Sequence, residues 1–323
     1  MMKFLKILSF FMAVAIVAIA TIIFYVLSVI TYDEQNLPET SLPHYYFTQI
    51  YFEPIELEEE KDEPEYSLEY IPEEESVEIP IYILSEFLSQ WNHIAVYYSN
   101  IHNDFSFSHN GDRVYFAASI TKAPFAMYIY KLAEAGLTDL TSLHPFLPIF
   151  RTGGSGIIRH DHVYGDLFSQ HQLLGYNLYL SDNIATRMLR DIHGYASFSR
   201  FVSELGSNPN FVYNITYSRT SANDAGILMR AMYDYISSGG TYSRVFLNNL
   251  LNNHFPFIKS SYPVAGKTGW FPQFGGAWHE IAIVYAPSPF ILVVLSNNYG
   301  GADTPIFQEI SMFIEEFNRE WFS

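Results

Sequence analysis

Strand-like segments stand at both ends of the region after residue 80, and helix-like segments fill the interval between them. That order constrains the fold more than any other feature. Residues 93–99 read as a strand with aromatic and β-branched members, and residues 105–108 alternate as its hairpin partner. Residues 281–285 and 290–296 read as two buried strands joined by a Pro-containing turn. In between, a helix is predicted from about residue 119 to 131 with Gly136 as its stop, and a second helical stretch over 173–189 is interrupted near Ser181. A third spans about 222–236, with Ser221 and Asp224 as a capping pair and Gly239 and Gly240 closing it. Ile306, Ile310, Phe313, Ile314 and Phe317 mark one face of a final helix. With 49% hydrophobic residues the chain can bury a sizeable core. An α/β (α+β) architecture buries all these faces. It has one antiparallel sheet made from the two ends and flanked by helices, with the middle segment forming an all-α lobe. A ligand is expected in the cleft between sheet and lobe.

Two other regions precede this domain, which is read as 81–323. Residues 7–30 carry no charge over 24 positions, enough for a helix to cross a bilayer. Lys3 and Lys6 lie before the run and Asp33 and Glu34 after it, so residues 1–31 read as a cytoplasmic stub and transmembrane anchor. The domain is then expected outside the cell membrane on a single-pass anchor. A cleaved signal peptide is the competing reading, but its nearest cleavage match, Ala18-Ile19-Ala20, lies inside the apolar run. Residues 32–80 read as an acidic linker in which Pro38, Pro43, Pro54, Pro64, Pro72 and Pro80 keep any helix or strand short. Of the formal charge of −17, a net −12 falls between Glu53 and Glu78, where 13 acidic residues face one lysine. Self-repulsion would extend that segment. Its aromatic residues, Tyr45, Tyr46, Phe47, Tyr51 and Phe52, suit a membrane interface or the domain surface. The remaining charge is ordinary for a soluble domain, and no Lys/Arg run offers a surface for nucleic acid. The absence of cysteine excludes thiol nucleophiles, iron–sulfur clusters and Cys-based zinc sites.

Three short motifs carry the chemistry: Ser119-Ile120-Thr121-Lys122, Ser181-Asp182-Asn183 and Lys267-Thr268-Gly269. They supply a nucleophile beside an amine, a second hydroxyl beside an amide, and a cation beside a hydroxyl, which is equipment for opening an amide through an acyl-enzyme. Ser119 is expected at a helix N-terminus, where main-chain N–H groups favour negative charge. Lys122, three residues on, shares its face, and a buried amine can lose its proton near neutral pH and act as base. Alone, Ser119 would read as a cap and Lys122 as a solvated surface residue. Ser181-Asp182-Asn183 would likewise read as a plain turn between helices. In the functional reading Ser181 carries a proton to the leaving nitrogen, Asn183 orients Lys122 and the substrate amide, and Asp182 holds the turn. Lys267 and Thr268 would bind a substrate carboxylate, although a regular strand points them to opposite faces. Gly269 lets substrate approach the backbone. A phosphate-binding loop fails as an alternative, since Ser261 stands where its first glycine is needed and strand follows.

With these motifs in this order, residues 81–323 resemble the penicillin-recognising serine hydrolases, nearest to the class A β-lactamase branch. Gly154-Ser155-Gly156-Ile157-Ile158, residues 179–189 and the terminal strand–strand–helix extend the likeness over the whole domain. The resemblance implies a β-lactamase/transpeptidase-like fold with Ser119 as the acylated nucleophile, Lys122 as its base and Ser181 as proton shuttle. It implies Asn183 as a substrate contact, and Lys267, Thr268 and Gly269 at the carboxylate. It also implies the main-chain N–H groups of Ser119 and Trp270 as the oxyanion hole, with no cofactor. The family's loop glutamate and asparagine, which activate the deacylating water, have no counterpart between Ser207 and Arg219, where no Asp or Glu occurs. Glu204 is the nearest carboxylate, at an expected helix surface position.

Among lesser candidates, Arg159-His160-Asp161-His162 with His171 has a spacing that would suit a metal on a strand, against the plainer reading of a surface loop. His279 and Glu280 follow Trp278 beside a strand as candidates to line the cleft. Three functions therefore stand. The first is an anchored serine hydrolase acylated by β-lactams or by the D-Ala-D-Ala end of peptidoglycan stem peptides, with slow deacylation. The second is a true class A β-lactamase with an unrecognised base, and the third a non-catalytic wall-binding or sensor module.

Overall fold

In the computed structural model the described residues are 75–209, 218–271, 276–297 and 304–322. The expected membrane helix at 7–30, and most of the expected linker, lie outside them. No helix among the described residues is long and apolar enough to cross a membrane.

The two ends of the domain do build one sheet. Strands β1 (Ile94–Asn100), β2 (Ser106–His109), β7 (Val264–Phe271), β8 (Ala277–Val284) and β9 (Phe290–Ser296) pair antiparallel in the order β2-β1-β9-β8-β7. β1 and β9 lie side by side in full register from Ile94↔Ser296 to Asn100↔Phe290. β9 is buried along its whole length, which accounts for an unbroken apolar run where a half-exposed strand would alternate. Two short ladders, β3 (Tyr115–Phe116) with β6 (Arg219–Thr220) and β4 (Leu143–Pro145) with β5 (Leu167–Ser169), lie outside this sheet.

Helices cover both faces. α1 (Glu75–Leu88) and α9 (Thr304–Phe322) share one core with Val96, Tyr98, Leu292 and Val294, and Phe87 stacks on Phe313 at 3.6 Å. α1 opens ahead of the boundary expected at 81 and runs through Pro80, which the sequence reading treats as a breaker. A proline this far into a helix costs about 3 kcal/mol. Full burial of Leu84 and Leu88 together with the Phe87 stack offsets it.

On the other face lies the helical lobe: α2 (Lys122–Glu134), α3 (Ile158–Asp161), α4 (Gln170–Tyr179), α5 (Asn183–His193), α6 (Tyr195–Glu204), α7 (Ala222–Ser237) and α8 (Ser243–Leu251). The break at Ser181 and the Ser221 cap, whose side chain accepts from the Asp224 N–H, fall where the sequence places them. Residues 158–161 form a single helical turn rather than a strand, because Asp182 takes up the Ile158 N–H there. No cluster of His, Asp or Glu among the described residues could hold a metal, and His162 pairs with Asp166 at 3.0 Å.

Candidate active site

Ser119 lies on a turn of 3₁₀ helix, Ala118–Thr121, that leads into α2, rather than on the α-helix itself. Ala118 has φ +48°, so the chain reaches the serine through a left-handed residue that a Cβ disfavours. The edge strand β7 lies against this turn. A Cβ at Gly269 would stand 2.8 Å from the Ser119 nitrogen and 2.9 Å from the Ile120 nitrogen, which only glycine avoids.

Lys122, at the first position of α2, is 2% exposed. Its Nζ donates to Asn183 Oδ1 at 2.7 Å, to Ser181 Oγ at 3.2 Å and to the Ser181 carbonyl. Burial first, then the nearby Lys267 charge and more weakly Arg190, hold its pKa well below that of a free lysine, with Asp182 opposing. The second motif is bent to meet it. α4 ends at Tyr179, Ser181 takes φ +53°, and Asp182 caps α5 by accepting from the Ile184 and Ala185 N–H groups at 2.8 and 2.9 Å. Asp182 Oδ2 accepts from the Ile158 N–H at 2.9 Å, and a Cβ at Gly156 would overlap that carboxylate at 2.1 Å. The glycine-rich stretch thus docks on the turn. The Gly153 carbonyl accepts from Asn183 Nδ2 at 2.9 Å, which turns Asn183 Oδ1 toward Lys122. Buried Asn177 bridges α2 and α5, donating to the Lys122 carbonyl and accepting from Thr186.

The third motif divides between the faces of the sheet, as a regular strand requires. Lys267 pairs with Ile281 of the lobe-side core, whereas Thr268 pairs with Glu280. Lys267 Nζ donates to the Thr268 carbonyl at 3.0 Å, and burial pushes its pKa down to about 8 against the pull of Glu280. The Thr268 hydroxyl donates to Asn253 Oδ1 at 3.3 Å. Trp270 is 46% exposed and stacks on its cross-strand partner Trp278 at 5.9 Å.

The structure therefore brings Lys122, Ser181, Asn183 and Lys267 together, with Gly269 carrying β7 against the Ser119 turn. It does not bring His279 or Glu280 into the cleft. His279 is fully buried, shares an Nε2–H hydrogen bond of 2.6 Å with the Phe116 carbonyl and accepts from the Ser296 N–H. It thereby pins the strand that enters the Ser119 turn. Glu204 is exposed at the end of α6 and makes no hydrogen bond to Ser119, Lys122 or Ser181 among the described residues. Sequence reasoning missed Arg190, a buried cation that donates to the Tyr195 hydroxyl at 2.8 Å and lies 4.9 Å over its ring. Only its place seven residues after Asn183 hinted that it faces inward.

A sheet flanked by helices, with a buried lysine one turn from a serine and a Ser-Asp-Asn turn closing over it, defines a penicillin-recognising serine hydrolase. The chain belongs to the β-lactamase enzyme family, whose model matches residues 83–315, and it acts on amide bonds. Among solved structures it is similar to PBP-A (19% identity, TM-score 0.62, covering 74% of this chain and 97% of that one). It is also similar to a β-lactamase from Sphaerobacter thermophilus (19%, TM-score 0.60, 74% and 94%). A β-lactamase from Chitinophaga pinensis is a third such structure (18%, TM-score 0.64, 74% and 98%). No curated protein matches the sequence.

Proposed function

We propose that this protein is a membrane-anchored, extracytoplasmic serine hydrolase that forms a long-lived acyl-enzyme on Ser119 with β-lactams or D-Ala-D-Ala-type wall peptides. One observation carries the reading. Lys122 is buried, deprived of its usual proton affinity, and hydrogen-bonded to both Ser181 and Asn183 one turn from Ser119. Neutral Lys122, which donates to only two of its three acceptors and so keeps a lone pair, takes the Ser119 hydroxyl proton as Oγ bonds to the substrate carbonyl carbon, and the carbonyl π electrons move to oxygen. The main-chain N–H groups of Ser119 and Trp270 stabilise that oxyanion. When it collapses, the C–N bond breaks and the nitrogen takes a proton from the Ser181 hydroxyl, which Lys122 replenishes. Lys267, with the Thr268 hydroxyl at the edge of β7, holds the substrate carboxylate. A mutant of PBP-A has been seen as its acyl-enzyme complex with penicillin G, a precedent for this product on the same fold.

Deacylation needs a base beside the incoming water. Residues 207–219 contain no carboxylate and Glu204 is exposed, so hydrolysis of the ester is slow. The uncharged run at 7–30, with lysines before it and acids after it, supports the anchor and the outward orientation.

Labelled penicillin followed by intact mass of the full-length chain tests this. A Ser119 adduct that outlasts many turnovers of an ordinary β-lactamase is expected. An adduct cleared within seconds makes the protein a working β-lactamase, and no adduct with retained wall-fragment binding makes it a sensor.

A further inference from the structure

Glu280 is a fully buried carboxylate that takes no part in the chemistry above, and its surroundings are unusually specific. Oε2 accepts from the Phe257 and Ile258 N–H groups at 2.6 and 2.7 Å, while Oε1 accepts from Asn253 Nδ2 at 3.2 Å. Asn253 Oδ1 in turn accepts the Thr268 hydroxyl hydrogen at 3.3 Å. Gly266 makes room, since a Cβ there would stand 2.9 Å from Oε1. Residues 252–258 round the open edge of β7, passing from Leu250 in the lobe-side core to Phe257 and Ile258 in the other. β7 is the edge strand, so the Thr268 hydroxyl, although on the face opposite Lys267, lies with Asn253 at the rim of the sheet beside the proposed carboxylate site.

Two facts about hydrogen bonding follow. An ionised carboxylate accepts only, so Asn253 must turn its NH₂ toward Glu280 and its oxygen toward Thr268. The Thr268 hydrogen is then committed to Asn253, and the hydroxyl presents lone pairs to a substrate carboxylate. A proton on Oε1 reverses the chain. Glu280 then donates to Asn253 Oδ1, the amide turns over, Nδ2 donates to Thr268 Oγ1, and the hydroxyl hydrogen is free for substrate.

We propose that Glu280 and Asn253 are positioning residues forming a relay that decides whether Thr268 offers a hydrogen or a lone pair to the substrate carboxylate. The inference rests on the reading of Lys267 and Thr268 as the carboxylate site. Burial lifts the Glu280 pKa to about 7, so both states are populated near neutrality. Across β7, Lys267 is the charged side chain that acts on it among the described residues. From β9 apolar Val294 stands opposite, and α9 contributes Phe307 against Phe257. The 252–258 connection offers Asn253 and main-chain N–H groups.

Glu280→Gln and Asn253→Leu together separate the relay from a simple charge effect. The Phe257 and Ile258 N–H groups keep the Gln oxygen, so its NH₂ faces Asn253 and mimics protonated Glu280. The second-order rate of Ser119 acylation by benzylpenicillin is measured from about pH 6 to about pH 8 for the full-length parent and variant. The variant-to-parent ratio is expected to rise from near unity to about tenfold, the worth of a hydrogen bond to a charged group. Loss of charge alone weakens the hold of Lys267 on its proton but also relieves repulsion of the substrate carboxylate, so the deciding variant is Asn253→Leu, which keeps the Glu280 charge and breaks only the relay: a flat or falling ratio there overturns it. Asn253→Leu, at a half-buried position beyond α8, is expected to raise the ratio in the same way and serves if the Gln variant does not fold. Should the parent form no adduct at any pH, the acylation reading fails and side-chain NMR judges the relay. An Asn253 amide signal that moves with the Glu280 titration in the parent and stays fixed in Glu280→Gln supports it, and an unmoving signal in the parent overturns it.

Discussion

Gly269 on β7 and Ser119 on the adjoining turn approach so closely that a methyl group at position 269 would stand 2.8 Å from the Ser119 amide nitrogen. That nitrogen lies on backbone held by a left-handed Ala118, so neither partner yields cheaply. The contact joins the sheet to the lobe where the oxyanion is proposed to sit.

Gly269→Ala is therefore expected to reduce Ser119 acylation by about tenfold or more while the protein stays folded. The cost falls on the alignment of two N–H donors rather than on the core. Intact-mass kinetics alongside a thermal melt check it.

Lys122→Ala should lower the acylation rate by about a hundredfold or more, the usual worth of a general base. The parent rate should climb with pH as Lys122, its pKa depressed by burial and by Lys267, loses its proton. It should decline as Lys267 loses its charge near pH 8, giving a bell whose rising limb vanishes in the variant.

Asp182 is buried and accepts three main-chain N–H groups, two at the start of α5 and one at Ile158. Asp182→Ala removes a helix cap and strands a buried donor, so a loss of about 2–4 kcal/mol is expected from urea denaturation. Acylation should fall with it, because the same turn carries Ser181 and Asn183.

His279 is buried neutral, with its pKa pushed down to about 4 by desolvation. The unfolded chain binds a proton below about pH 6.5 that the native state refuses. Stability from this group is thus complete above pH 6.5 and is lost as pH falls toward 4, by about 1.4 kcal/mol per unit. His193, lowered to about 4 by burial and by His144, adds a loss of the same sign. Melting temperatures of the parent and His279→Gln at neutral and acid pH should converge as the pH drops.

Much of this protein is legible in its residues alone. The three motifs, the break at Ser181, the turn held by Asp182, the cap at Ser221 and the buried character of β9 are local patterns, and local patterns survive folding. The meeting of β1 and β9 follows because apolar strands at two ends of a chain must bury each other's faces. What only the tertiary structure decides is the environment of each polar group. α1 tolerates Pro80 because α9 packs on it, and the Lys122 pKa is lowered because the fold buries its amine and brings Lys267 close to it. Glu280 turns from the cleft to Asn253 because residues 252–258 wrap the edge of β7. Periodicity encodes which face is apolar. It carries no information about which distant charge or carbonyl will stand opposite a buried amine, and that sets the chemistry.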